Sequence, residues 1–373
     1  CRRPSIPLAH DVRVRGLRLA LLALLCVASL GAVGAPAKAP AFMGATARAG
    51  SAVPQADPRL GMHFPDANGA PAHTFGVERL WDTGANWCRM NPAPGVWDFT
   101  PLLSQLDGAA SRGAHTAIVV LGFPPQHAVT GTPNPGEAIW LCPQPGYASL
   151  LPSNPVWDDY VTRIADQVTA WRTTHPEVAV HFQVWNEPAA AWFLSPDQRP
   201  ARLVALAVRA RTILGQHAPG SLLVSPSIVA NTSLRRAEWQ REFVAAAAAR
   251  GWVFDVWAVH LYPKGGTLAE LWSGPEGYLA RLTDVADTVA PGRQPGDQLW
   301  ITEINANVAI LAAPVQVLTD QDQAAFVQLV AHDTAARGIP IVVWYRWHYD
   351  PWQLGSGQIV FSPDSPALAA WGS

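Results

Sequence analysis

From Arg59 onward the chain alternates between short apolar runs and longer stretches in which apolar residues recur every three or four positions. The short runs are Leu60–Phe64, Val77–Trp81, Thr116–Phe123, Ala179–Glu187, Leu222–Ser227, Phe254–Tyr262, Gln298–Ile304 and Ile339–Trp347. All are short for helices and many are bounded by turn-forming residues, so they read as strands. The longer stretches Trp157–Thr173, Ala201–Gln216, Arg235–Arg250 and Asp320–Arg337 carry the spacing of one apolar face and predict amphipathic helices. Such alternation over about 310 residues predicts an α/β fold, a (β/α)8 TIM barrel in a single domain, in preference to a doubly wound sheet. Order alone does not separate these two architectures; the polar residues do. Asn186, Glu187, His260, Tyr262, Glu303 and Arg346 fall at the C-terminal ends of predicted strands, the end where barrel sites are built. After the eighth strand only Ala367–Trp371 reads as helix, which leaves the last barrel helix short.

The N-terminal part has a different pattern. Arg2, Arg3, Arg13, Arg15 and Arg18 precede the uncharged run Leu19–Ala37, and Val33-Gly34-Ala35 offers small residues for cleavage. Residues 1–35 therefore read as a signal peptide and 36–58, rich in Ala, Pro and Gly, as a flexible lead-in to a domain over 59–373. The expectation is a secreted or extracytoplasmic protein with no stable membrane association after cleavage; the alternative is an uncleaved N-terminal membrane anchor. With 49% apolar and 14% charged residues the chain has ample material for one large core. Its formal charge of −2, from 26 basic and 28 acidic residues, supplies no field for binding nucleic acid. Loss of residues 1–35 would remove a net +4 and leave about −6.

Two strand ends carry the candidate chemistry. Gln183-Val-Trp-Asn186-Glu187-Pro188 closes one apolar run with an amide, a carboxyl group and a chain-breaking proline; Leu299-Trp-Ile-Thr302-Glu303-Ile-Asn305 closes another with a second carboxyl group. Two Glu at strand ends of one barrel can face each other across its mouth. Glycosidic bond cleavage needs such a pair, one carboxylic acid to protonate the leaving oxygen and one carboxylate to attack the anomeric carbon. Neither a Gly-x-Gly-x-x-Gly turn nor a phosphate-binding loop occurs. Despite 11 His, His63 stands alone at the first strand and no His-Glu-x-x-His is present, so neither a metal nor a cofactor is expected.

These segments resemble clan A of the glycoside hydrolases, retaining (β/α)8 enzymes, over roughly residues 60 to 350. Arg79-Leu-Trp-Asp82, Trp87, and Gly95-Val-Trp-Asp-Phe99 are most similar to family 39 and its relatives, with a family 5-like enzyme as the alternative. The resemblance extends to His260-Leu-Tyr262-Pro on the sixth strand and to Trp344-Tyr-Arg-Trp347 on the eighth. It implies Glu187 as acid/base and Glu303 as nucleophile, and a secreted enzyme acting on an oligo- or polysaccharide. It further implies Asn186 as a partner of the sugar 2-hydroxyl, Arg79 and Tyr262 as holders of the Glu303 carboxylate, and His260 as a supporting group. Arg nearby should keep Glu303 ionised, whereas Glu187 in a less charged setting should titrate higher. Trp344 and Trp347 both offer themselves for sugar stacking, but they differ in strand parity; Trp344 is taken as the inward one.

The chain holds 17 Trp. Trp140, Trp192, Trp272 and Trp352 follow predicted strands and are candidate sugar platforms or loop packing; Trp157, Trp171 and Trp239 lie on helical stretches and read as packing. Cys88 and Cys142 should lie near the same rim, either bridged or as separate thiols. Asn231-Thr-Ser233 matches a glycosylation sequon. Two further functions use the same residues: a transglycosylase with the same Glu pair, and a catalytically silent carbohydrate-binding barrel.

Overall fold

The apolar runs become the staves of a closed parallel barrel. In a computed structural model, residues 57–63, 75–138, 142–230, 233–306, 318–346 and 366–371 are described. The strands are β1 (Leu60–Met62), β2 (Val77–Leu80), β3 (Thr116–Leu121), β4 (Ala179–Val184), β5 (Leu223–Val224), β6 (Ile228–Val229), β7 (Val256–Leu261), β8 (Gln298–Ile304) and β9 (Val342–Trp344). They pair in the order β5-β4-β3-β2-β1-β9-β8-β7-β6, and a β5–β7 pairing closes the ring. β5 and β6 together fill the fifth of eight positions. Pro226, which has no N–H to donate, separates them, and Ser225 Oγ takes the Ala258 N–H at 2.9 Å. The architecture is the (β/α)8 barrel that the alternation of strands and helices predicts.

The four anticipated helices form as α3 (Asn154–Arg172), α4 (Pro200–His217), α5 (Leu234–Ala248) and α8 (Asp320–Ala336). The final helix, α9 (Pro366–Trp371), is as short as expected. Two full-length helices, α2 (Thr100–Ser111) and α7 (Tyr278–Val289), and two short ones, α1 (Trp87–Met90) and α6 (Leu268–Ser273), were not anticipated. The α7 pattern is readable in hindsight: Tyr278, Arg281, Leu282, Val285 and Val289 are its buried face at spacings of three and four.

Strand alternation divides the apolar residues into two cores. Val77, Ile118, Val224, Val256, Ala258, Trp300, Ile341 and Val343 fill the barrel. Residues of opposite parity, such as Leu80, Val119, Phe182, Trp257 and Ile301, pack outward on the helices. One departure from alternation positions the site. Between β7 and β8, Val259 pairs with Ile301 but His260 pairs with Glu303, so Thr302 is an extra residue. Ile301 and Ile304 both face outward, pairing with Val342 and Trp344 of β9. The bulge at Thr302 thus reverses the parity of β8 and aligns Glu303 with His260, as bulges near active sites commonly do.

The same end of the barrel is tied by a disulfide between Cys88 on α1 and Cys142 in the loop after β3, with Cα atoms 5.8 Å apart. The Cys88 N–H donates to the Phe123 carbonyl at 3.0 Å, which fixes α1 to the end of β3. Among the described residues no helix is long and apolar enough to cross a membrane.

Candidate active site

The chain leaves β4 through a strained turn. Trp185 and Glu187 have φ of 64° and 38°, left-handed values that a non-glycine residue adopts only at a cost of about 1–3 kcal/mol each. Packing holds the turn in place. The Trp185 indole is fully buried, donates to the Phe193 carbonyl at 2.7 Å, and lies over Gly122, where a Cβ would come within 2.8 Å of its ring. Gly122 itself has φ of 140°, so glycine is required there on both counts. The turn sends Asn186 and Glu187 into the mouth of the barrel.

Arg79 on β2 is the hub of the site. Fully buried, it donates from Nη1 to Glu303 Oε1 at 2.6 Å, from Nη2 to Asn186 Oδ1 at 2.7 Å, and from Nε to Gln183 Oε1 at 2.7 Å. Gln183 in turn donates to the Ser225 carbonyl and to Ser227 Oγ. The Tyr262 hydroxyl donates to the other Glu303 oxygen at 2.6 Å. Each Glu303 oxygen thus has its own donor, one of them cationic. Burial, with Glu303 adding to it, lifts the Tyr262 phenol well above its ordinary range, so it stays a donor.

Glu187 is in a different setting. Its carboxyl group is pushed up to about 7, chiefly by burial, against a pull downward from the Arg79 and Arg236 charges. His260 Nδ1 sits 2.7 Å from Glu187 Oε1 and 3.3 Å from Glu303 Oε2. Burial lowers the His260 pKa to about 3, which makes it a neutral link between the two carboxyl groups. An oxygen of each Glu and a ring nitrogen of His260 all lie within 4.8 Å of one another. Three such atoms could hold a cation, but the Arg79 guanidinium 2.6 Å from Glu303 already supplies positive charge there, which a divalent ion would oppose.

A second polar cluster adjoins the first. His63, buried beyond β1, holds the Arg79 carbonyl through Nδ1 at 2.9 Å and Asp82 through Nε2. Asp82 accepts from the Tyr345 hydroxyl at 3.3 Å and faces Arg346 at 3.7 Å. Burial pushes the Asp82 carboxyl up, yet His63, Arg346 and Tyr345 together hold it below the usual range.

The structure thus brings Arg79, Asn186, Glu187, His260, Tyr262 and Glu303 together. It corrects the reading of Trp344. That residue is fully buried, 6.4 Å from Phe326 of α8 and 5.4 Å from Trp371 of α9, and faces the helices rather than the mouth. Ile341 and Val343 take the inward positions of this strand, which leaves Trp344 the outward parity. Tyr345 turns inward instead, beside His63 at 5.0 Å and Tyr262 at 6.4 Å. Trp347, Trp140 and Trp352, with Asn231 and Thr232 of the sequon, lie outside the described residues. Trp272 stacks on Tyr278 at 4.9 Å as packing, whereas Trp192 is 40% exposed. Trp157 and Trp171 are buried, as helix packing requires. Gln183, Asp82 and Tyr345 were missed. For Gln183 and Tyr345 the available signal was inward parity at or just past a strand end, and Gln183 even interrupts an apolar strand; Asp82 lies past the end of β2 with the parity of the outward Leu80, so alternation does not mark it.

Barrel and site together define a (β/α)8 protein whose C-terminal mouth holds a pair of unlike carboxyl groups. The chain belongs to the glycosyl hydrolase catalytic core family, whose profile matches residues 154–354. No curated protein matches it in sequence. Among solved structures it is similar to a GH39 β-xylosidase from Caulobacter crescentus, with a TM-score of 0.56 and 18% identity over 80% of this chain and 63% of that one. It is also similar to a GH39 enzyme from Xanthomonas axonopodis pv. citri, at 0.56 and 17% over 80% and 59%. A third is an intracellular xylanase from Thermoanaerobacterium saccharolyticum, at 0.54 and 12% over 84% and 94%. At these identities the likeness is one of fold, and the chain spans about three fifths of the GH39 structures. The fold that the family 39 resemblance of Arg79-Leu-Trp-Asp82 and its companions implies is the fold these neighbours share.

Proposed function

We propose that this chain is a retaining glycoside hydrolase that cleaves O-glycosidic bonds of an oligo- or polysaccharide, with Glu187 as acid/base and Glu303 as nucleophile. The observation that carries this reading is the pair itself. One carboxyl oxygen of each Glu lies within 4.8 Å of the other's, consistent with the separation of about 5–5.5 Å used for direct attack rather than the about 6.5–9.5 Å that leaves room for a water. In the first step the Glu303 carboxylate attacks the anomeric carbon while the Glu187 proton passes to the departing oxygen; the C–O bond breaks and a glycosyl ester forms. In the second, Glu187 takes a proton from water as the water oxygen attacks the same carbon, releasing Glu303 and a sugar of the original configuration. Arg79 and Tyr262 hold and aim the Glu303 carboxyl group, and Asn186, held by Arg79, presents its amide to the sugar 2-hydroxyl.

Proton NMR of the first-formed product from a panel of nitrophenyl glycosides tests the reading. Net retention is expected, and inversion would overturn it. The acid role also fixes a pH dependence. Only protonated Glu187 can serve the first step, so kcat/KM should be high below pH 7 and fall tenfold per pH unit above about 7, where that carboxyl group ionises. His260, lowered to about 3, adds no ionisation there. A flat profile to alkaline pH would exclude Glu187 as the acid. We further propose export with removal of residues 1–35, motivated by the Arg-flanked apolar run. Mass spectrometry of secreted protein still beginning before Leu19 would count against it.

A further inference from the structure

We propose that Trp192 and Arg236 form the leaving-group side of this site and select a leaving sugar that carries a carboxylate, a uronic acid residue. The inference rests on the glycosidase reading above and specifies its substrate class.

Trp192 belongs to the turn that presents Glu187. The Ala190 N–H donates to the Glu187 carbonyl at 2.9 Å and the Phe193 N–H to the Ala190 carbonyl at 3.0 Å, while the Trp192 carbonyl accepts from Ala138 at 3.1 Å. The backbone under Trp192 is therefore held with the turn itself, yet the residue is 40% exposed, one of the few large apolar ones so open among the described residues. Arg236 arrives from another element. β6 ends beside His260, its Val229 paired with that residue, and the chain then enters α5, whose first turn carries Arg236. The guanidinium lies 4.3 Å from the Trp192 ring centroid. Its charge also reaches Glu187. Among the described residues no carboxylate lies within ion-pair distance of Arg236.

Glu187, as the acid, faces the departing oxygen, so groups beside Glu187 and away from Glu303 flank the leaving sugar. An exposed indole there offers a face to sugar C–H groups. The Arg236 guanidinium over that ring carries N–H groups that can meet a planar carboxylate with two parallel hydrogen bonds. A uronic acid carries its carboxylate on the sugar ring itself, so a single residue can satisfy both groups. A neutral sugar would cover Arg236 without pairing it, which costs affinity.

Binding measured by calorimetry on the full chain, without turnover, tests this independently of the hydrolytic reading. The probes are methyl β-D-glucuronide, methyl β-D-glucoside and methyl β-D-glucoside 6-sulfate. Wild type should bind the glucuronide about tenfold or more tighter than the glucoside, a difference that added salt should shrink. Arg236→Gln should abolish that difference, Arg236→Lys should retain part of it, and Trp192→Ala should weaken the glucuronide and the glucoside alike. Equal binding of glucuronide and glucoside, or a preference that survives Arg236→Gln, would overturn the proposal. Sulfate bound as well as glucuronide would overturn the claim for a carboxylate. Loss of turnover on nitrophenyl glycosides with the glucuronide preference intact would instead count against the hydrolase reading alone.

Discussion

Glu303→Ala is expected to lose about 10⁵-fold in kcat on every glycoside, whatever its leaving group. The reason is chemical. Without a carboxylate within reach of the anomeric carbon no glycosyl ester can form, and a better leaving group does not supply the missing bond. A small anion can. Added azide should enter the space of the lost side chain and attack the anomeric carbon directly, giving a glycosyl azide of configuration opposite to that of the substrate. The substitution also leaves Arg79 buried without its anionic partner, a loss of about 3–5 kcal/mol when a buried pair is broken. Glu303→Gln keeps the shape and one acceptor oxygen, which can stay on Arg79 while its NH2 group faces the Tyr262 oxygen, and should be as inactive while melting closer to wild type. Kinetics on one activated glycoside, with thermal melts of both variants, separate lost chemistry from lost fold. Residual activity of Glu303→Gln above about 1% of wild type would remove Glu303 from the nucleophile's role.

Glu303 also shows how far a sequence can be read and where reading stops. That it stands at the end of an apolar run, opposite another such run ending in Glu187, is visible in the order of residues, because strand ends are marked by the change from apolar to polar. That it points into the barrel is not visible. By alternation from Trp300, an interior residue, Glu303 should face the helices, and the bulge at Thr302 turns it inward. A bulge is chosen by how two strands pair, and pairing is not written in either strand alone. The same limit explains Trp344. Trp344 and Trp347 looked equivalent as aromatic residues, and only the interior positions of Ile341 and Val343 determine that Trp344 faces outward.

The polar residues that were missed follow a related logic. In the sequence Gln183 is only the start of a motif ending in Glu187, yet its amide is the brace between Arg79 and the Ser225–Ser227 break in the fifth stave. His63 stands alone at the first strand, where sequence by itself assigns it no role. Its two ring nitrogens are in fact spent on the Arg79 carbonyl and on Asp82, which ties the hub to Tyr345 and Arg346. Such roles depend on partners distant in sequence, 104 residues for Arg79 and Gln183 and 263 for Asp82 and Tyr345. Local spacing marks Gln183 and Tyr345 as inward polar positions, but it does not name their partners. Chemistry needs a Glu at a strand end, and that much is local; support comes from wherever the barrel closes.

The two Glu should separate most clearly in the second variant. Glu187→Ala is expected to cost about 10²–10⁴-fold on glycosides with poor leaving groups, the usual worth of a positioned general acid. On dinitrophenyl glycosides the first step should be almost unaffected, because a phenolate of low pKa departs without a proton. The burden then moves to the second step, where water must attack with no base at position 187. The glycosyl ester on Glu303 should accumulate, seen as a burst of phenolate followed by slow turnover, with KM falling along with kcat. Azide needs no base. It should accelerate that second step and give a glycosyl azide of the same configuration as the substrate, the reverse of the Glu303→Ala outcome. The pH profile should change with it: the alkaline fall set by a Glu187 carboxyl near 7 should vanish from kcat/KM. The structure makes this asymmetry physical, since Glu303 accepts from an Arg and a Tyr while Glu187 is hydrogen-bonded to a neutral imidazole. If Glu187→Ala and azide gave the inverted product, and Glu303→Ala the retained one, the two roles would have to be exchanged.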